Sequence, residues 1–138
     1  MKLKLLCPIA LAFAASLVVS TPASALERIV TNVYFEWGST TLNAKAVAAV
    51  RAAAPKAKAC EYNGMRVVGH ADTSHTEEES TALGLARAKA VRAALMKLGL
   101  KDSAISVATH GEIDLAKETA DGVREPLNRR VEIIVVCD

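Results

Sequence analysis

The sequence predicts a small α/β or α+β sandwich, with helices packed on a sheet of about four strands. Segments with a two-residue apolar period alternate along the chain with alanine-rich segments of helical period. The 138 residues suffice for one small domain. Hydrophobic residues make up 51% of the chain but aromatic residues only 4%, which favours a thin, helix-rich core and excludes a long disordered chain.

Residues 1–25 are typical of a secretory signal peptide. Lys2 and Lys4 precede an apolar run of roughly 15 residues, which is shorter than the roughly 20 needed to span a bilayer. Ala23-Ser24-Ala25 is a small-residue cleavage site. We therefore expect a mature domain over residues 26–138. Cleavage lowers Lys+Arg from 17 to 15 against 15 acidic residues, and the resulting neutrality gives no electrostatic reason to expect nucleic-acid binding.

The first elements follow from apolar period and from helix-breaking residues. Alternating apolar positions predict a strand over residues 29–37. A helix is predicted over residues 43–54, with Asn43 as its N-cap and Pro55 ending it. Residues 65–69 are predicted to form the second strand.

A long helix and two further strands follow. Thr76 and Glu79 have the spacing of a capping box, and Gly99 is the residue type favoured after a helix end, so the helix is predicted over residues 76–98. Strands are predicted over residues 105–108 and 131–136. The last of these is almost wholly apolar and β-branched, which is typical of a central strand.

Arg87 lies near the centre of the apolar face of the long helix. A buried arginine needs an anionic partner, because an unpaired buried charge costs several kcal/mol. Asp72, which follows the second strand, is the candidate. Two interpretations stay open: an internal salt bridge that binds nothing, or a site that holds the ammonium and carboxylate of an amino-acid-like ligand.

Four motifs in register resemble the OmpA-like peptidoglycan-binding domain family. They are Tyr34-Phe35-Glu36, Gly69-His70-Ala71-Asp72, Leu83-Gly84-Leu85-Ala86-Arg87-Ala88 and Asn128-Arg129-Arg130-Val131-Glu132-Ile133. The resemblance covers roughly residues 29–136. It implies an α+β fold of βαβαβ type, in which two layers are formed by helices on a small mixed sheet.

The resemblance also implies a function. Family members bind peptidoglycan non-covalently at the diaminopimelate of the stem peptide, without catalysis or a cofactor. By resemblance, Asp72 would take the ligand's ammonium, Arg87 its carboxylate, and Arg129 would support the site. The expected peptidoglycan-binding set is completed by Thr73, Ser80 and Asn128. We expect a periplasmic location, associated with the cell wall or outer membrane, and further partners among outer-membrane or other envelope proteins.

An alternative keeps the fold and changes the function. The family's usual residues are replaced in the loop and helix around Asp72, at Ala71, His75, Ser80 and Gly84. These changes favour a domain whose wall site has decayed and which binds a periplasmic protein instead.

Two other groups of residues have side chains that can bind a metal ion or form a disulfide bond. His70, Asp72 and His75, together with His110, resemble the ligands of a small metalloenzyme, but a zinc site needs fixed geometry and supporting partners, and we expect no metal. Cys60 and Cys137 remain after signal cleavage, and an even pair in an exported protein predicts a disulfide bond.

Overall fold

The computed structural model describes residues 27–60 and 62–137, so the predicted signal peptide lies outside the described residues. The elements, in chain order, are β1 (Glu27–Tyr34), α1 (Ala44–Ala59), β2 (Tyr62–His70), α2 (Glu77–Lys97), β3 (Ile105–Gly111) and β4 (Arg130–Cys137). Within the described segments, neither helix combines the length and the apolar character that a membrane crossing requires.

The four strands form one mixed sheet in the order β1-β4-β2-β3. β4 is antiparallel to both β1 and β2, whereas β2 and β3 are parallel. α2 provides the crossover that a parallel pair requires. Both helices pack on the sheet, and their core includes Val67, Val91, Leu95 and Ile133. The predicted α+β fold and the central position of the last strand are therefore confirmed.

β1 is shifted relative to the prediction. It ends at Tyr34, and the chain then turns at Gly38, whose φ is +65°. The Ser39 amide donates to the Glu36 carbonyl across this turn. Trp37 therefore lies beyond the strand with 44% of its surface exposed, and its predicted place in the strand is wrong.

The prediction that Pro55 ends the first helix is wrong. α1 continues through it to Ala59. A proline removes one helical hydrogen bond, here the one to the Arg51 carbonyl. Arg51 and Pro55 are both exposed, so water can hydrate that carbonyl, while the next turn buries Ala57 completely.

α2 approaches β2 closely at Gly84, which lies against Gly69. A Cβ at Gly84 would lie 3.0 Å from the Gly69 carbonyl oxygen and would clash with the Thr109 hydroxyl. Packing therefore requires a glycine at position 84, although glycine has a lower helix propensity than alanine. Gly84 does not by itself indicate that the wall site has decayed.

The predicted disulfide bond is present between Cys60 and Cys137, whose Cα atoms are 5.4 Å apart. It connects the residue after α1 to the last residue of β4. The bond closes a loop with a sequence separation of 77 residues, so it constrains most of the unfolded domain.

Candidate functional site

Asp72 and Arg129 form an ion pair beside the end of β2. The distance from Arg129 Nη1 to Asp72 Oδ2 is 3.3 Å, and the two residues are only 9% and 1% exposed. Arg129 immediately precedes β4, and its Nε donates to the Phe35 carbonyl at 3.0 Å. The guanidinium is therefore oriented by the backbone after β1 and presented to the Asp72 carboxylate.

A chain of hydrogen bonds connects the buried Asp72 to an exposed aromatic ring. The Ser74 hydroxyl donates to Asp72 Oδ1 at 2.5 Å, and the Trp37 indole N–H donates to the Ser74 oxygen at 2.9 Å. The His75 ring stacks on Trp37 with centroids 5.4 Å apart, and the Arg124 guanidinium lies 3.5 Å from the Trp37 ring centroid. The Asp72 carboxylate is thus bordered on its solvent side by aromatic and cationic groups.

Arg87 is fully buried, but it does not form the expected ion pair with Asp72. Its Nε donates to the Ser39 carbonyl at 2.9 Å, Nη1 to the His70 carbonyl at 3.1 Å and Nη2 to the Glu36 carbonyl at 3.2 Å. The charge is accommodated by carbonyl dipoles, and Asp72 pairs with Arg129 instead. Arg87 thereby connects α2 to the turn after β1 and to the end of β2.

The three charged groups still interact electrostatically. Burial lowers the pKa of Arg87 from its ordinary value to about 10, Asp72 opposes this decrease, and Arg129 adds to it. Two guanidinium groups and one carboxylate leave an excess positive charge at this end of β2. An anionic group bound here would balance that excess.

The other expected ligand residues use their polar atoms within the protein. The Thr73 hydroxyl donates to the Ala120 carbonyl at 2.7 Å, and the Gly122 amide donates to the Thr73 carbonyl at 2.7 Å. Ser80 is fully buried, and its hydroxyl donates to Glu112 at 3.1 Å. The roles expected of these residues in ligand contact stay predictions, but their visible role is to hold the 112–123 segment against β2 and α2.

Asn128 is also fully buried and serves the same segment. Its side-chain amide exchanges two hydrogen bonds with the Lys117 backbone, at 2.9 and 2.8 Å. Its ligand contact likewise stays a prediction.

The histidines are not arranged as the sequence analysis suggested, with His70, Asp72 and His75 together. Asp72 pairs with Arg129 and His75 stacks on Trp37, so neither joins His70. His70 lies instead beside His110, with ring centroids 5.3 Å apart in an edge-to-face arrangement. Burial lowers the pKa of His70 from 6.5 to about 4, with a further decrease from Arg130 that Glu132 opposes.

Sequence reasoning missed Ser74, Trp37 and Arg124 around Asp72. Ser74 follows a buried aspartate by two residues, which is the spacing of an Asx turn and was a usable signal. Arg124 and Trp37 are far apart in sequence and meet only because the 119–123 segment folds against Thr73.

A mixed four-stranded sheet under two helices, with a buried charged cluster beside its central strands, places the protein among the small α+β domains. Comparison with known families identifies which one. The model of the OmpA family matches residues 34–129, and the chain belongs to this family.

Individual relatives agree with this assignment. The chain is 36% identical over 108 residues to the peptidoglycan-associated lipoprotein of Pseudomonas putida, covering 77% of the chain and 63% of that protein. It is 33% identical over 109 residues to an outer membrane protein of Gluconacetobacter diazotrophicus, covering 75% of the chain and 29% of that protein. The chain thus matches less than two thirds of the length of either relative.

Among solved structures, the crystal structure of the peptidoglycan-associated lipoprotein from Burkholderia pseudomallei superimposes with a TM-score of 0.69 at 28% identity. The match covers 76% of this chain and 89% of that one.

Proposed function

We propose that this protein binds peptidoglycan non-covalently in the periplasm and takes part in attachment or organisation of the cell envelope. Membership of the OmpA family and similarity to two proteins described as peptidoglycan-associated lipoproteins support this function. The Cys60–Cys137 disulfide supports an oxidising compartment, as expected for an exported protein. The proposed activity is recognition and needs no catalytic group or cofactor.

The finer proposal is that the ligand is the diaminopimelate of the stem peptide. Its ammonium binds Asp72 and displaces the Ser74 hydroxyl from the carboxylate. Its carboxylate binds the guanidinium groups of Arg129 and Arg87. Arg87 uses three of its five N–H groups on backbone carbonyls, which leaves two for a carboxylate.

The observation that carries this proposal is the excess positive charge around Asp72. A buried pair of guanidinium groups with one carboxylate is unbalanced, and a zwitterionic ligand supplies a carboxylate for the excess and an ammonium for Asp72. Ser74 and Trp37 lie between the Asp72 carboxylate and solvent, so we propose that the ligand approaches from this side and displaces the Ser74 hydroxyl.

Calorimetric titration of the mature protein with soluble stem peptides tests the ligand. Diaminopimelate carries a carboxylate at the end of its side chain that lysine lacks, so the diaminopimelate peptide should bind and the lysine peptide should bind at least about 30-fold more weakly, which corresponds to about 2 kcal/mol. Equal binding of both peptides would contradict the diaminopimelate proposal while leaving peptidoglycan binding intact.

Asp72→Asn should weaken binding of the diaminopimelate peptide by at least about 30-fold, because it removes the charge that faces the ammonium. Asp102→Asn is the matched control, since Asp102 is exposed and lies beyond α2. If both variants bind as the wild type does, Asp72 is not part of the site.

The alternative of a protein-interaction module also has an observation in its favour. A groove of about 380 Å³ runs beside Arg129, and its lining includes Tyr34, Phe35, Ala46 and Leu127. Tyr34 and Leu127 are 44% and 47% exposed, so the groove offers apolar surface to a partner. This function is favoured if the wild type binds neither stem peptide nor intact peptidoglycan.

A further inference from the structure

A second cluster of polar side chains lies on the other face of the sheet from the helices. Gly69 contacts α2, so the next residue of β2, His70, points to the opposite face. The register of β2 and β3 shifts between Gly69, which pairs with Thr109, and His70, which pairs with Gly111. His110 follows Thr109 and faces the same side of the sheet as His70, and the two rings are neighbours with centroids 5.3 Å apart.

The cluster contains three metal-binding side chains. One donor atom each from His70, His110 and Asp114 all lie within 4.8 Å of one another. His110 Nδ1 and Asp114 Oδ2 are 3.4 Å apart, close to the roughly 3.3 Å that separates two ligands of a tetrahedral ion with bonds of about 2.0 Å. The other donor pairs lie within 4.8 Å, so metal binding would draw these side chains closer together.

His70 gives an independent reason to expect a ligand here. Its side chain is fully buried, and neither Nδ1 nor Nε2 has a hydrogen-bond partner in the part of the chain that the structure describes. The nearest acidic oxygen, Glu132 Oε2, is 3.8 Å from Nε2, which is too long for a hydrogen bond. Buried polar atoms are almost always satisfied, so this unpartnered ring requires an explanation.

The charged side chains around the cluster carry more negative than positive charge, which favours binding of a cation. Asp114 and Glu132 are acidic, and Arg130, a cation beside the cluster, is already held by Glu132 Oε1 at 2.8 Å. Arg130 also donates to the Asp114 backbone carbonyl at 3.4 Å and thereby positions the turn that carries the Asp114 carboxylate. His110 and Asp114 have side chains that are 43% and 61% exposed, so an ion can enter from solvent.

We propose that His70, His110 and Asp114 form a binding site for a divalent transition-metal ion of the zinc type. Two neutral imidazoles and one carboxylate match the ligands that such ions prefer over magnesium or calcium. The remaining coordination position is open to water. This site differs from the grouping of His70 with Asp72 and His75 that the sequence suggested, and it does not depend on peptidoglycan binding.

Isothermal titration of the mature, disulfide-bonded protein with Zn²⁺ tests the proposal. We expect one ion per chain. His110→Ala and Asp114→Asn should each weaken binding by more than about 100-fold, because even changes behind the direct ligands cost about 10–100-fold. Both residues are exposed, so these variants should stay folded, which circular dichroism verifies.

His75→Ala is the matched control, because it removes a histidine that stacks on Trp37 outside the cluster. It should bind Zn²⁺ as the wild type does. Substitution with Co²⁺ provides a second readout, since a tetrahedral site of this kind gives visible absorption that the His110 variant should lose. Absence of stoichiometric Zn²⁺ binding, or binding that His75→Ala reduces and His110→Ala leaves unchanged, would overturn the proposal.

Discussion

Replacing Arg87 with methionine should destabilise the domain by about 3 kcal/mol. Methionine replaces the apolar stem of the arginine side chain but removes all three donors to the carbonyls of Glu36, Ser39 and His70. A hydrogen bond contributes about 1 kcal/mol net, with higher values when the donor is charged. We use the lower value because methionine also removes a buried charge, whose desolvation is visible in the lowered pKa of Arg87.

Urea unfolding followed by circular dichroism measures this loss. A decrease of about 3 kcal/mol shifts the midpoint by roughly 1–3 M at ordinary slopes for a small domain. Lys89→Met is the control, because it also replaces a cationic side chain with methionine, at an exposed position of α2, and leaves helix propensity nearly unchanged. If Arg87→Met and Lys89→Met unfold within about 0.5 kcal/mol of each other, Arg87 does not hold the turn after β1 as the structure indicates.

This result also determines how binding data on Arg87 are interpreted. A variant that loses both stability and peptidoglycan binding says nothing about direct contact with the ligand. Asp72→Asn is therefore the better test of the site, since asparagine keeps the size of the side chain and an oxygen that can still accept from the Ser74 amide and hydroxyl.

Three further predictions concern the scaffold. Gly84→Ala should lower the melting temperature, because overpacking against Gly69 and Thr109 costs about 1–3 kcal/mol. This cost outweighs the gain of up to about 1 kcal/mol in helix propensity. A variant that melts at or above the temperature of the wild type would contradict the close approach of α2 to β2. Reduction of the Cys60–Cys137 bond should cost about 4.5 kcal/mol for a separation of 77 residues, and an unchanged urea midpoint under reducing conditions would disagree with this estimate. Thr73→Val should speed tryptic cleavage after Arg124, because the 119–123 segment loses its hydroxyl partner, whereas Thr40→Val at an exposed site should not.

The sequence predicted the features that depend on local pattern. The β-branched run over residues 131–136 indicated a central strand, and β4 lies between β1 and β2. The capping box of Thr76 and Glu79 is present at the start of α2, with both of its hydrogen bonds formed. The apolar stripe around Arg87 correctly indicated that this arginine is buried. In each case the residues that decide the structure are near one another in sequence.

Features that depend on distant contacts were not predictable in this way. Arg87 is satisfied by carbonyls from two other segments, and a sequence pattern carries no information on backbone acceptors. Pro55 is tolerated because it falls on the exposed side of α1, which depends on how the helix packs. The meeting of His70 with His110 depends on the parallel pairing of β2 with β3. None of these follows from local propensity.

Co-sedimentation with purified diaminopimelate-containing peptidoglycan tests the central proposal most directly. The mature wild type and Asp102→Asn should sediment with the polymer, and Asp72→Asn, shown by circular dichroism to be folded, should remain in the supernatant. Free diaminopimelate should release the bound wild type. Failure of the wild type to sediment, or sedimentation of Asp72→Asn to the same extent as the control, would contradict the account of a peptidoglycan site built around Asp72.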